Sequence, residues 1–426
     1  MPPMHHKTVF ANGVRVVSEH IPHARTVCVG IWVDVGARDE HDLTNGCSHF
    51  VEHMLFKGTP SRSASQIAME LDVLGGMSNA FTSKDATCYY GMVLDSQLPR
   101  LVDLLADFFL NSLFDDEEIE RERQVIMQEI SMVEDTPEEQ VHELFEGLLW
   151  GHHPLGNTIL GPMEVVSSMD RQKLLNHVKT FYTPDRIVFA AAGNVQHQEF
   201  CDLIAPAFSS LQRQGGGERQ RLEPHALPLT RKIFTKSLEQ VHVAMGAYGM
   251  PITSEERYKL MLLNILLGGN MSSRLFQEIR EKRGLAYSVQ SYLDAYADSG
   301  YLGIYLGVNP ENVNRSLGVI RAELDKLMGG PVSEAELANA KDYARTGLFL
   351  AADNLEMRMT RIARNELYFG RNVDFDEVVA GLTRVTVEDI RQLAGNLFAR
   401  AMTTAMLGPI ADKDVQWDLL TGKAAS

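Results

Sequence analysis

Arg213 to Pro224 reads RQGGGERQRLEP, a glycine-rich, charged stretch almost free of apolar residues. Such a segment has too little apolar surface to bury, and it predicts a linker between two halves of nearly equal length. The chain therefore divides into residues 1–213, a linker over 214–224, and residues 225–426.

Working outward from that break, both halves run through the same series of elements. TVCVGIWVDVG in the first half is a β-branched strand ended by glycine, followed by a polar loop and an apolar helix from about Gly46 to Phe56. QVHVAMGAYG in the second is the matching strand, followed by a helix over TSEERYKLMLLNILLGG. GGMSNAFTSKDATCYYGMVL and RGLAYSVQSYLDAYADSGYLGIYLGV both read as strand, turn, strand. Each leads into an amphipathic helix, LPRLVDLLADFF and VNRSLGVIRAELDKL. FYTPDRIVFAAAGN and NLFARAMTTAMLGPI look like one late strand met twice. A repeat of about 200 residues is too long for a solenoid. The expected fold class is α+β, with two duplicated domains, each an antiparallel sheet packed against helices.

Bulk properties narrow the function. The 426 residues, 45% hydrophobic and 23% charged, are those of a soluble globular protein of more than one domain. A net charge of -16 argues against nucleic acid or an anionic membrane as partner. Cys28, Cys47, Cys88 and Cys201 form no CxxC pair and read as buried free thiols. MPPMHHKTVF has neither an apolar signal core nor the character of a presequence, and no apolar run of about 18 residues is present, so the expected location is the cytoplasm.

His49-Phe50-Val51-Glu52-His53 is an HxxEH motif. His49 and His53 stand four apart, so both imidazoles leave one helix face about a turn apart, close enough to share one ion. Glu52 points to the side of that ion, where it can hold a water without ligating the metal. This order is the inverse of HExxH, the inverted-zincin signature. Exposed histidine pairs on helices are common, but Phe50, Val51, Met54, Leu55 and Phe56 make this helix apolar nearly all round, and hence buried. Buried polar side chains need partners, and a metal supplies one.

A catalytic zinc takes a third protein ligand and leaves a fourth position for water. DDEEIERERQVIMQEISMVED, Asp115 to Asp135, is a helix with an acidic start and an apolar stripe of Ile119, Ile126, Ile130 and Val133. Glu122 and Glu129 flank that stripe two turns apart, while Glu120 and Glu134 lie on or nearer the wet face. Glu129 can project inward as a ligand, with Glu122 orienting a histidine.

GCSHFVEHMLFKGT, GGMSNAFTSKDATCYY and ERERQVIMQEI together resemble the insulinase/pitrilysin superfamily of zinc metallopeptidases. The resemblance is to its processing-peptidase branch, the bacterial homologues similar to the mitochondrial processing peptidase β subunit, and it runs over essentially the whole chain. It implies one Zn2+ per chain. The family's third ligand lies 76 or so residues after the second histidine, and 129 − 53 = 76 selects Glu129. The acid seven positions earlier is Glu122. In LLGGNMSSRLFQEIREKRGLAYSV, the family's arginine and tyrosine seven apart fall on Arg280 and Tyr287, which would donate to the carbonyl oxygen as it gains charge. Read on their own, Arg280 belongs to the solvated REKR face and Tyr287 to the core. Asn79 and Ala80 match the edge strand that receives the peptide, and Phe56 the pocket just after the scissile bond. Glu139 and Glu143 match the acids that receive an arginine two residues before the cut. The helix between Leu260 and Leu267 holds no histidine and no acid, so the second half carries no such site.

These readings imply a metalloendopeptidase that hydrolyses extended peptides or presequence-like oligopeptides, with Glu52 as general base and the two domains enclosing a clam-like chamber. The resemblance further implies a homodimer, or a heterodimer with a related subunit. The alternative is a catalytically inactive subunit or peptide-binding scaffold of a processing-peptidase-like complex.

Overall fold

The computed structural model describes residues 4–209, 211–212, 221–225, 227–330 and 332–420. Its strands are β1 Met4–Val9, β2 Arg15–His20, β3 Thr26–Val33, β4 Met77–Thr82, β5 Thr87–Leu94, β6 Ile187–Gly193, β7 Arg231–Thr235, β8 Val241–Tyr248, β9 Ala286–Ala295, β10 Gly300–Val308 and β11 Thr403–Gly408. They form two sheets, ordered β1-β2-β6-β3-β5-β4 and β7-β11-β8-β10-β9. With β1 set aside the two orders coincide position by position. In each sheet one pair is parallel, β2 with β6 and β7 with β11, and the other pairs are antiparallel. The element order repeated along the sequence thus reappears as a repeated sheet order in a mixed α+β fold. The parallel pair refines the antiparallel expectation: its partners are far apart in sequence, as a parallel connection requires.

The sheets are covered on both faces. In β3, Val27, Val29, Ile31 and Val33 turn into one core, while Cys28 and Trp32 turn into another. Double burial accounts for the unbroken apolar run of this strand, where a half-exposed strand would alternate. The first core is closed by α1 (Cys47–Leu55) and α3 (Leu98–Asn111), with α2 (Ala64–Val73) between them in sequence. The second is closed by Met359, Ile362 and Ala363 of the helix Leu355–Phe369. Gly30 permits that approach: a Cβ there would lie 2.8 Å from Met359 Sδ.

That last helix belongs, by sequence, to the other half. The chain's compact units are not its consecutive halves. One unit runs through Met132 and adds Asn157–Leu222 and Leu350–Val373; the other combines Val133–Gly156, Glu223–Phe349 and the chain from Asp374. The exchange is reciprocal. After α4 (Asp116–Asp135), α5 (Pro137–Trp150) lays Val141, Phe145 and Leu149 against Ala244, Ala405 and Leu407 of the second sheet. The expected division at 213 and 225 is therefore corrected by one exchanged helical segment in each direction. It places Glu139 and Glu143, expected with the first half, in the second unit. Amphipathic spacing shows that a helix covers something, but not which sheet it covers. Most of the expected linker, residues 214–220, lies outside the described residues; the boundary between units falls at Leu222 and Glu223. Among the described residues, no helix is long and apolar enough to cross a membrane.

Candidate metal centre

α1 is preceded by its N-cap Gly46, whose φ of 98° is a left-handed conformation. A side chain there would meet Leu160 O at 2.5 Å, so glycine is required on both counts. At the helix start the buried Glu40 accepts from the N-cap Gly46 N at 2.7 Å, from Ser48 N of the first turn at 2.5 Å and from the Asn45 side-chain Nδ2 at 3.1 Å. Burial pushes the Glu40 carboxyl up to about 7 despite those bonds. Phe50, Val51, Met54 and Leu55 anchor the helix in the first core.

His49 and His53 leave α1 side by side, their ring centroids 4.6 Å apart. Opposite them runs α4, with Ile119, Ile126 and Ile130 buried and Glu122 only 5% exposed. Glu129 Oε2 lies 3.6 Å from His49 Nε2 and 3.6 Å from His53 Nε2. Ligands around a tetrahedral zinc, each at about 2.0–2.1 Å, sit ~3.4 Å from one another. Glu129 Oε2 is buried and has no hydrogen-bond partner, so the carboxylate is aimed at a point that no protein donor fills. These three side chains are the only set of three or more potential ligands that meet in this way among the described residues. Two imidazoles and one carboxylate at this spacing fit a zinc ion with one position left open.

The electrostatics favour ligation. Burial, and then the neighbouring His53, hold the His49 pKa down to about 3, so its imidazole is neutral with a lone pair to give. His53 differs. Burial opposes its charge, but the hydrogen bond to Glu122 and the charges of Glu129, Glu122 and Glu52 outweigh it, and its pKa is raised. His53 Nδ1 lies 2.9 Å from Glu122 Oε2, which fixes the proton on Nδ1 and leaves Nε2 facing Glu129. Lys57 Nζ sits 2.5 Å from the other oxygen, Glu122 Oε1. Glu52 is not one of the three converging donors, and Thr82 Oγ1 donates to its Oε2 at 2.5 Å. Burial raises the Glu52 pKa.

A cavity of about 340 Å³ adjoins the cluster, lined by Glu52, His53, Phe56, Leu71, Asn79 and Ala80 among others. The structure thus brings His49, His53, Glu129, Glu122 and Glu52 together, with Phe56, Asn79 and Ala80 beside them. Arg280 and Tyr287 meet each other in the second unit, the guanidinium 4.9 Å from the tyrosine ring centroid and 4.8 Å from that of Phe276. Tyr287 is 79% exposed. Glu139 and Glu143 lie one turn apart on α5. Sequence reasoning passed over Lys57, Thr82 and Glu40. Lys57 stands four after His53, two residues beyond the end of α1, and Thr82 two after Ala80 on the same strand face; spacing places them but does not name the groups they meet.

Comparisons with known proteins agree over most of the chain. The family described as Insulinase (Peptidase family M16) matches residues 15–163, and the Peptidase M16 inactive domain matches residues 168–343. An uncharacterized zinc protease of Bacillus subtilis, YmxG, is 40% identical over 93% of this chain and 97% of its own length. An uncharacterized zinc protease of Mycobacterium leprae is 41% identical over 96% of this chain and 92% of its own. The crystal structure of a protease from Helicobacter pylori shares the fold, with a TM-score of 0.88 at 23% identity, covering 96% of this chain and 100% of that one.

Proposed function

The chain belongs to the insulinase (peptidase M16) family, and from that membership and the cluster on α1 and α4 we propose that it is a zinc-dependent endopeptidase cleaving extended peptides or presequence-like oligopeptides. The observation that carries this reading is the position of Glu129 Oε2, equidistant from two imidazole nitrogens and free of any hydrogen bond.

His49, His53 and Glu129 would hold the ion. Zinc in that position supplies Lewis acidity to a water molecule and to the scissile carbonyl. Glu52 takes the proton of that water and passes it to the leaving amine; a carboxyl with a raised pKa suits both transfers. Glu122 accepts a hydrogen bond from His53 Nδ1–H and keeps the ring oriented. Among the described residues β4 is the last strand of its sheet, and Asn79 and Ala80 on it would pair with an extended peptide backbone. Phe56 would receive the side chain after the cut. We assign Glu139 and Glu143 to an arginine two residues before it, and Arg280 and Tyr287 to the peptide carbonyl. A homodimer, or a pair with a related subunit, is the assembly we propose.

Metal analysis of the purified chain tests the reading: about one zinc per chain, with o-phenanthroline abolishing cleavage and added zinc restoring it. Glu52→Gln should retain the metal and lose turnover. A chain with no zinc and no metal-dependent cleavage would instead be an inactive subunit or peptide-binding scaffold, which the complete set of donors does not favour.

A further inference from the structure

Among the described residues β4 pairs only with β5, and strand alternation sets Ser78, Ala80 and Thr82 on one face and Asn79 and Phe81 on the other. Phe81 packs edge-on against Trp32, ring centroids 5.3 Å apart. The Thr82 face turns towards α1, where Thr82 Oγ1 reaches Glu52 Oε2 at 2.5 Å. Among the described residues this is the one hydrogen bond that the Glu52 carboxylate receives. The hydroxyl is itself held in place. Thr82 stands opposite Thr87 in the ladder, and the turn beyond it is closed by Ser83 N donating to Ala86 O at 2.8 Å, as does Ser83 Oγ. One carboxylate oxygen is thereby tied to the strand, and the other is left to exchange a proton.

We propose that Thr82 is a positioning residue for Glu52, tying the proton-transferring carboxylate to the strand along which the peptide lies. The inference rests on Glu52 being the general base and adds a reason for its alignment. A peptide paired along β4 and a carboxylate hydrogen-bonded to β4 share one reference frame, so the distance between base and reacting carbonyl is set by a single hairpin. Small misplacements of a catalytic group cost rate far more than affinity.

The test uses the full zinc-loaded chain and a fluorogenic extended peptide. Thr82→Val keeps the shape and removes the donor. It is expected to lower kcat roughly ten- to hundredfold, with KM, zinc content and melting temperature close to those of the unmodified protein. Thr82→Ser restores the donor and should recover kcat to within about threefold; Thr82→Ala is read like Thr82→Val should the valine disturb folding. An unchanged kcat in Thr82→Val, or a Thr82→Ser as slow as Thr82→Val, overturns the proposal. Glu52→Gln, measured alongside, separates the two levels. If it still cleaves, the general-base assignment falls. If it is inactive while Thr82→Val is fully active, only the role of Thr82 is removed.

Discussion

Lys57 and Glu122 form an ion pair at 2.5 Å on one side of a carboxylate whose other oxygen receives His53 at 2.9 Å. Glu122 is thus held from both ends, and so is the imidazole that depends on it. Partners of this kind orient metal-binding histidines and typically contribute ten- to hundredfold in metal affinity. Glu122→Gln is therefore expected to weaken zinc binding by about that factor, and Lys57→Met by a smaller one, in competition titrations with a chromophoric chelator. Zinc affinities equal to that of the unmodified protein would show that the pair is incidental.

Met359 sits fully buried on the first sheet, and Trp32 Nε1 donates to its Sδ at 3.2 Å. Truncating it leaves a cavity under the exchanged helix. Met359→Ala is expected to cost about 2–5 kcal/mol, read as a lower denaturation midpoint. A loss below about 1 kcal/mol would mean that the exchanged helix contributes little to closing that face.

His177 is buried, with its Nε2 3.2 Å from Ser48 Oγ at the start of the histidine helix. Burial holds its pKa down to about 4 from 6.5. The folded state therefore binds this proton less readily than the unfolded state does. The associated stability is present above about pH 6.5 and is lost as pH falls through 4, on the order of 3 kcal/mol in all. Glu40 acts in the opposite sense, its contribution fading as pH rises from 4.5 through about 7. Unfolding free energies of the zinc-loaded protein and of His177→Gln between pH 7 and 4 isolate the histidine; parallel curves would contradict the assignment.

Glu139 and Glu143, one turn apart on α5, can share one guanidinium. Peptides with arginine two residues before the cut should be cleaved faster than their alanine counterparts, and Glu139→Gln with Glu143→Gln should erase the difference. Equal rates for the two peptides on the unmodified protein would remove this specificity.

How far the residues disclosed the fold depended on whether the deciding contact was local. Periodicity placed α1, α4 and the strands β3 to β6 and β8 to β11 to within a few residues, whereas β1, β2 and β7 were not read from it. The mirrored sheet order was legible as a repeated order of elements. The convergence of Glu129 with the histidines was only half legible. Its place beside the apolar stripe of α4 was clear, but the choice between it and Glu122 as ligand needed the spacing carried by the family resemblance. The exchange of helices was not legible at all. Met359 lies 327 positions from Trp32, and nothing in an amphipathic helix names the sheet that will receive it. Glu40 and Thr82 escaped for a related reason: an ordinary acid and an ordinary hydroxyl acquire meaning only from the group that folding sets opposite them.

The reciprocal loan of helices has a consequence for how the molecule is made. A nascent chain emerging from the ribosome can lay down all the strands of its first sheet by Gly193, yet the cover for Cys28 and Trp32 has not been synthesised until Ala363 is out. For some 170 further residues of translation that apolar face has no native partner. Expressed separately at the central glycines, each fragment would carry one naked sheet and one orphaned helix, and co-expression should rescue the solubility that neither attains by itself.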